Sequence, residues 1–141
     1  MTLYVMDTDH LSLFERNDPR VVERVLMVRK GIVDDLFTTV VTMQEQLEGR
    51  LAQVRRARDS ARLMLAYRRL QETFGLFSDL DILNYNATAD EYFRGFRKGG
   101  VRIGTQDLRI ALSNEGIILT RNLRDFEKVP GLVIQDWSAE E

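Results

Sequence analysis

The chain has 141 residues, 44% of them apolar and 30% charged, which suits one domain with a sizeable core and excludes wholesale disorder. It has no cysteine and one histidine, which removes disulfides, thiolate zinc sites and cysteine nucleophiles, and leaves any serine–histidine chemistry to His10 alone. The net charge of −2 hides an uneven distribution: seven arginines face one acid, Asp59, between Arg50 and Arg69, and 17 of the 20 basic residues are arginine. On its own that arginine stretch reads as a solvated helix face. No apolar run approaches the roughly 18 residues of a membrane span, and the opening MTLYVMDTDH lacks a basic n-region, so a cytoplasmic protein away from membranes is expected.

In chain order, Leu3–Met6 is an apolar run ending at Asp7 and reads as a buried first strand. Asp18-Pro19 reads as an N-cap with proline at the first helical position, followed by Val21, Val22, Val25 and Leu26 at helical spacing and closed by Gly31. Phe37–Val41 reads as a second strand, and Thr42-Met43-Gln44-Glu45 as a capping box opening a long helical region. Within it Leu63, Tyr67, Leu70 and Phe74 share one stripe, expected to be core. Leu80–Leu83 predicts a third strand, and Ala87–Arg97 a helix halted by Gly99-Gly100. Thr105 to Asn114 predicts a helix ended by Gly116, Ile117–Thr120 a fourth strand, and Leu132–Ile134 a fifth after the Pro130-Gly131 turn. Strands alternating with helices predict an α/β sandwich: a central, mainly parallel five-stranded sheet with helices on both faces, as a single domain over residues 1–141.

Four carboxylates fall at one edge of this expected sheet. Asp7 ends the first strand, Glu45 lies one turn into the helix after the second, Asp107 opens the helix before the fourth, and Asp125 follows that strand. Four acids brought together raise one another's pKa, and a hard divalent cation relieves that; all-oxygen ligation suits Mg²⁺ or Mn²⁺. Each acid also has a plainer role. Asp7 can end a turn, Glu45 can partner Thr42 in the capping box, Asp107 can serve a helix dipole, and Asp125 can cap Phe126–Val129.

The segment Leu3-Tyr4-Val5-Met6-Asp7-Thr8-Asp9 resembles the opening strand of PIN-domain ribonucleases, and Thr39–Gly49, with Glu45 four residues before glycine, resembles their second motif. Ile103-Gly104-Thr105-Gln106-Asp107-Leu108-Arg109-Ile110-Ala111 resembles the third, and Leu119–Phe126 with Val129-Pro130-Gly131-Leu132 the fourth. The resemblance spans nearly the whole chain and is greatest to VapC-like toxins of prokaryotic toxin–antitoxin pairs. Asp9 departs from it, standing where the family more often has asparagine; it reads either as an additional metal-site acid or as a helix N-cap.

The resemblance implies a PIN-like three-layer sandwich and a metal-dependent endoribonuclease. In it Asp7 and Asp107 hold the principal Mg²⁺ (or Mn²⁺), Asp125 adds a ligand, and Glu45 binds a second ion or orients the attacking water. Thr120 and Asn122 support the site, while Arg109, Arg121 and the Arg50–Arg69 stretch are RNA-contact candidates. His10 is structural in this reading. Expected partners are an RNA substrate, a cognate antitoxin and a second copy of the chain. Two rivals remain: a haloacid-dehalogenase-like phosphatase using Asp7 and Asp9, and a non-catalytic PIN-like binding module.

Overall fold

The computed structural model describes residues 2–31, 34–112 and 116–139. Its strands are β1 (Leu3–Met6), β2 (Asp35–Thr39), β3 (Asp81–Leu83), β4 (Ile117–Leu119) and β5 (Val133–Gln135), all parallel, in the order β3-β2-β1-β4-β5. The helices among the described residues are α1 (Thr8–Glu15), α2 (Pro19–Lys30), α3 (Val40–Arg56), α4 (Ser60–Ser78), α5 (Ala87–Lys98), α6 (Thr105–Leu112) and α7 (Leu123–Phe126). They cover both faces, giving the expected three-layer α/β sandwich.

The period-two alternation of the strands divides the core between these faces. Met6 and Leu119 point into one cluster with Leu11, Leu13, Val21, Val25 and Trp137, beneath α1 and α2. Ile118 points the other way, onto Val41, Leu108, Ile110 and Phe126. Gly116 brings the chain into β4 so close to β1 that a Cβ there would lie 2.2 Å from the Leu3 carbonyl oxygen. With β2 on one side of β1 and β4 on the other, the chain reverses its direction of winding between β1 and β4. Crevices at such switch points, outside the carboxyl ends of the strands, are where open α/β sheets bind ligands.

Asp18 caps α2, with Pro19 at its first position and Gly31 at its end, as the sequence predicts. Four local expectations are corrected. The second strand ends at Thr39, two residues early, because the Thr39 hydroxyl accepts from the Thr42 N–H and caps α3 there. The Thr42–Glu45 capping box therefore does not form, and Glu45 lies beyond the first turn. Asp125 does not cap a Phe126–Val129 segment; it lies inside α7, with Asn122 at the N-cap position. The long helical region is two helices, and the stripe expected as core faces outward: Tyr67 is 55% and Phe74 68% exposed, while α4 buries Ala66, Thr73 and Phe77 instead. The neighbouring face of α4 meets α3, leaving Leu63, Tyr67 and Phe74 exposed and Leu70 half-buried at the boundary. Residues 113–114 of the expected Thr105–Asn114 helix lie outside the described residues.

Candidate functional site

Asp7 sits at the switch point, one residue past β1, 4% exposed. Its Oδ1 accepts the His10 N–H at 2.8 Å and so caps α1. The buried Thr120 hydroxyl, just past β4, also bonds to Asp7. Burial pushes the Asp7 carboxyl up to about 7 against these two bonds, with the charges of Asp9 and Asp107 adding to the rise.

Glu45 projects from α3, and the Thr8 hydroxyl from the start of α1 donates to its Oε1 at 2.7 Å. Partial burial raises the Glu45 carboxyl above its ordinary value, with a further push from Asp107. Asp107, in the first turn of α6, is raised by burial and by the neighbouring charge of Asp125. The Asn122 amide lies between these two, 3.5 Å from Asp107 Oδ2 and 3.1 Å from Asp125 Oδ2. Asp125 is the outlying member: bonds from Asn122 and Lys128 hold its carboxyl below the usual range. The loop entering α6 is fixed from α5, where the Arg97 guanidinium donates to the carbonyls of Val101 (2.9 Å) and Ile103 (2.6 Å).

The acids anticipated from sequence influence one another electrostatically at this edge: Asp107 acts on Asp7 and Glu45, and Asp125 on Asp107. Three of them resist ionisation, and all offer only oxygen. Such a donor set fits a hard divalent cation, because the cation supplies the positive charge that buried carboxylates lack. Asp7, Glu45 and Asp107 could hold one between them, with Asp125 at the rim, although among the described residues their oxygens are not gathered within 4.8 Å of one another.

A second grouping, Asp7, Asp9 and His10, brings its potential ligand atoms within 4.8 Å of one another. Its chemistry fits an ion less well. Burial lowers the His10 pKa, and its Nε2 accepts the Trp137 N–H at 3.0 Å. The ring proton is therefore on Nδ1, which has no hydrogen-bond partner and lies 3.8 Å from Asp7 Oδ1. Both Asp9 oxygens are taken by Arg121, at 2.5 and 2.6 Å, and this pairing holds Asp9 below its ordinary value. His10 is structural here, joining α1 to the segment after β5.

Two of the arginines singled out in the sequence make intramolecular contacts. Arg50 ties α3 to α1 and α4 through Glu15 and Thr73 rather than projecting into solvent. The Arg109 guanidinium packs 5.0 Å from the centre of the Phe93 ring and 6.0 Å from that of Tyr85. Sequence reasoning missed Thr8 as the partner of Glu45 and Asp9 as the partner of Arg121. Thr8 carried one signal: a hydroxyl between two acids at a strand end.

No protein-family model matches the chain. It is 28% identical to the tRNA(fMet)-specific endonuclease VapC of Shigella flexneri over 98% of this chain and 100% of that protein. The DNA-bound VapBC structure from Salmonella typhimurium superposes with a TM-score of 0.76 at 26% identity, covering 97% of this chain and 99% of that one. The VapBC-1 structure from nontypeable Haemophilus influenzae gives a TM-score of 0.76 at 21% identity, with the same coverage of both chains.

Proposed function

From a chain that is VapC-like in sequence and PIN-like in fold, we propose a metal-dependent endoribonuclease, the toxin of a toxin–antitoxin pair. What supports it is the electrostatic coupling at the switch-point edge: Asp107 acts on both Asp7 and Glu45, and burial and acidic neighbours raise all three carboxyls. A bound Mg²⁺ or Mn²⁺ would lower the pKa of water and stabilise charge developing on the phosphate.

The chain's own residues do the rest. Asp7, held by the His10 N–H and Thr120, gives a carboxylate of fixed orientation. Thr8 aims Glu45, which orients the attacking water or takes its proton. Asn122 holds Asp107 and Asp125 in register. The Arg121 fork on both Asp9 oxygens counts against the phosphatase alternative, since a general acid there needs one of those oxygens to carry a proton toward the leaving group.

We extend the reading to partners. VapBC pairing in the relatives supports an antitoxin for this chain, and the exposed apolar residues of α4 offer a face for a protein partner, either the antitoxin or a second copy. Single-domain organisation over residues 1–141 belongs to the same proposal. Among the described residues, no helix is long and apolar enough to cross a membrane.

The test is cleavage of total cellular RNA by purified protein with Mg²⁺, with excess EDTA, and with Mn²⁺ restored. Cleavage that stops in EDTA and returns with Mn²⁺ is expected. Full activity in EDTA refutes the metal mechanism, and no cleavage under any condition favours a binding module.

A further inference from the structure

The nuclease reading leaves unexplained the ion pair at the rim of the acidic cluster. Arg121 stands between Thr120, which bonds to Asp7, and Asn122, which bridges Asp107 and Asp125. Its neighbours on both sides thus touch the cluster, while its own guanidinium turns to Asp9, 112 positions away in the chain. The contact is a two-pronged fork, Nε to Oδ2 at 2.5 Å and a terminal nitrogen to Oδ1 at 2.6 Å. A phosphate presents the same pair of oxygens to the same fork. Asp9 also lines a polar groove of about 540 Å³ bounded by α1, α3 and α4, whose charged lining is mixed: Arg16, Arg50 and Arg69 with Glu15 and Glu72.

We propose, resting on the nuclease reading, that Arg121 grips a substrate phosphate at the mouth of the cluster and that Asp9 is a built-in competitor for the same guanidinium. In the free protein the Asp9 carboxylate occupies the fork; RNA binding exchanges it for a phosphate. Exchange is feasible because the pair is exposed, the side chains being 49% and 39% accessible, and exposed ion pairs are weakly held. Once released, Asp9 remains in the first turn of α1, where the helix N-terminus favours its charge. Asparagine at position 9 would leave Arg121 open; aspartate there weakens RNA binding and shields an otherwise uncovered cation beside the site.

The experiment is a double-mutant cycle of wild type, Asp9→Asn, Arg121→Gln and the double variant. Affinity for a short single-stranded RNA with phosphorothioate linkages is read by fluorescence anisotropy in Mg²⁺ across a salt series. Asp9→Asn should bind up to about fivefold tighter, matching the strength of an exposed ion pair. Arg121→Gln should bind more weakly and flatten the salt slope by about 0.7, one phosphate contact on a single strand. In the double variant the gain from Asp9→Asn should vanish, and Arg121→Lys should restore the salt slope but not the full affinity.

Equal tightening by Asp9→Asn with and without Arg121 overturns the competitor role, because the effect is then general charge removal. Weaker RNA binding by Asp9→Asn, with a raised Mg²⁺ requirement, assigns Asp9 to the metal and also overturns it. Wild type that cleaves RNA yet shows no coupling defeats this inference alone. Wild type that neither binds nor cleaves RNA defeats it together with the nuclease reading.

Discussion

The burial of Asp7 gives a stability signature that can be read without substrate. Its carboxyl is raised from 3.8 to about 7 in the folded chain, chiefly by desolvation. A carboxyl with a raised folded pKa contributes stability below its unfolded value and loses it as pH climbs toward the folded one. The metal-free protein should therefore weaken between about pH 4 and pH 7, by on the order of 4 kcal/mol at the upper end if Asp7 acts alone. Asp7→Asn removes the charge but keeps an oxygen for the His10 N–H, and asparagine caps helices as well as aspartate does. In EDTA at pH 7 the variant should melt above wild type, and at pH 4 the two should converge. Mg²⁺ at about 100 times its dissociation constant should add roughly 2.7 kcal/mol to wild type and much less to the variant. Thermal melts of both proteins at the two pH values, with and without Mg²⁺, supply the comparison. A variant that melts below wild type in EDTA at pH 7, or by the same margin at both pH values, refutes the reasoning.

Three further outcomes follow from the geometry. Thr8→Val removes the donor to Glu45 Oε1 and should lower cleavage or metal affinity by about 10–100-fold, checked by RNA cleavage against Mg²⁺ concentration, with little change in melting. Gly116→Ala sets a methyl against the Leu3 carbonyl and should cost about 1–3 kcal/mol in urea unfolding, since backbone on both sides must shift. Phe74→Ser on the outward stripe of α4 should leave the isolated chain's unfolding midpoint within about 0.5 kcal/mol of wild type, whereas Phe77→Ser on the buried face should cost several times that.

The cap of α2 is legible in the sequence because it depends only on neighbours in the chain: Asp18-Pro19 needs only its own turn. The boundary at Thr39–Thr42 is not. Thr39 and Thr42 are equally competent caps one turn apart, and Val40 and Val41 carry β-branched side chains that favour a strand. Packing decides it, since Val41 belongs to the core beneath α6 and Phe126. The shift matters for the site, because a Glu45 not used in a capping box is available to Thr8.

The stripe on α4 misled for a related reason. Helical periodicity identifies an apolar face but not the direction of the neighbouring helix, and the face of Ala66, Thr73 and Phe77 proved the inward one. The four acids were visible because topology alone carries them to one edge. Their partners were not, since Arg121 reaches Asp9 and Trp137 reaches His10 across most of the chain. No local pattern encodes such pairs.

The most direct test of a carboxylate-held metal nuclease is RNA cleavage by wild type and Asp107→Asn side by side in Mg²⁺. Asp107 is raised by burial and by Asp125, so the variant would remove a proposed ligand without removing an ion pair of that carboxyl among the described residues. We expect loss of cleavage in a variant that melts no lower than wild type in EDTA. Undiminished cleavage by Asp107→Asn, with the same Mg²⁺ dependence as wild type, would contradict the assignment of the site.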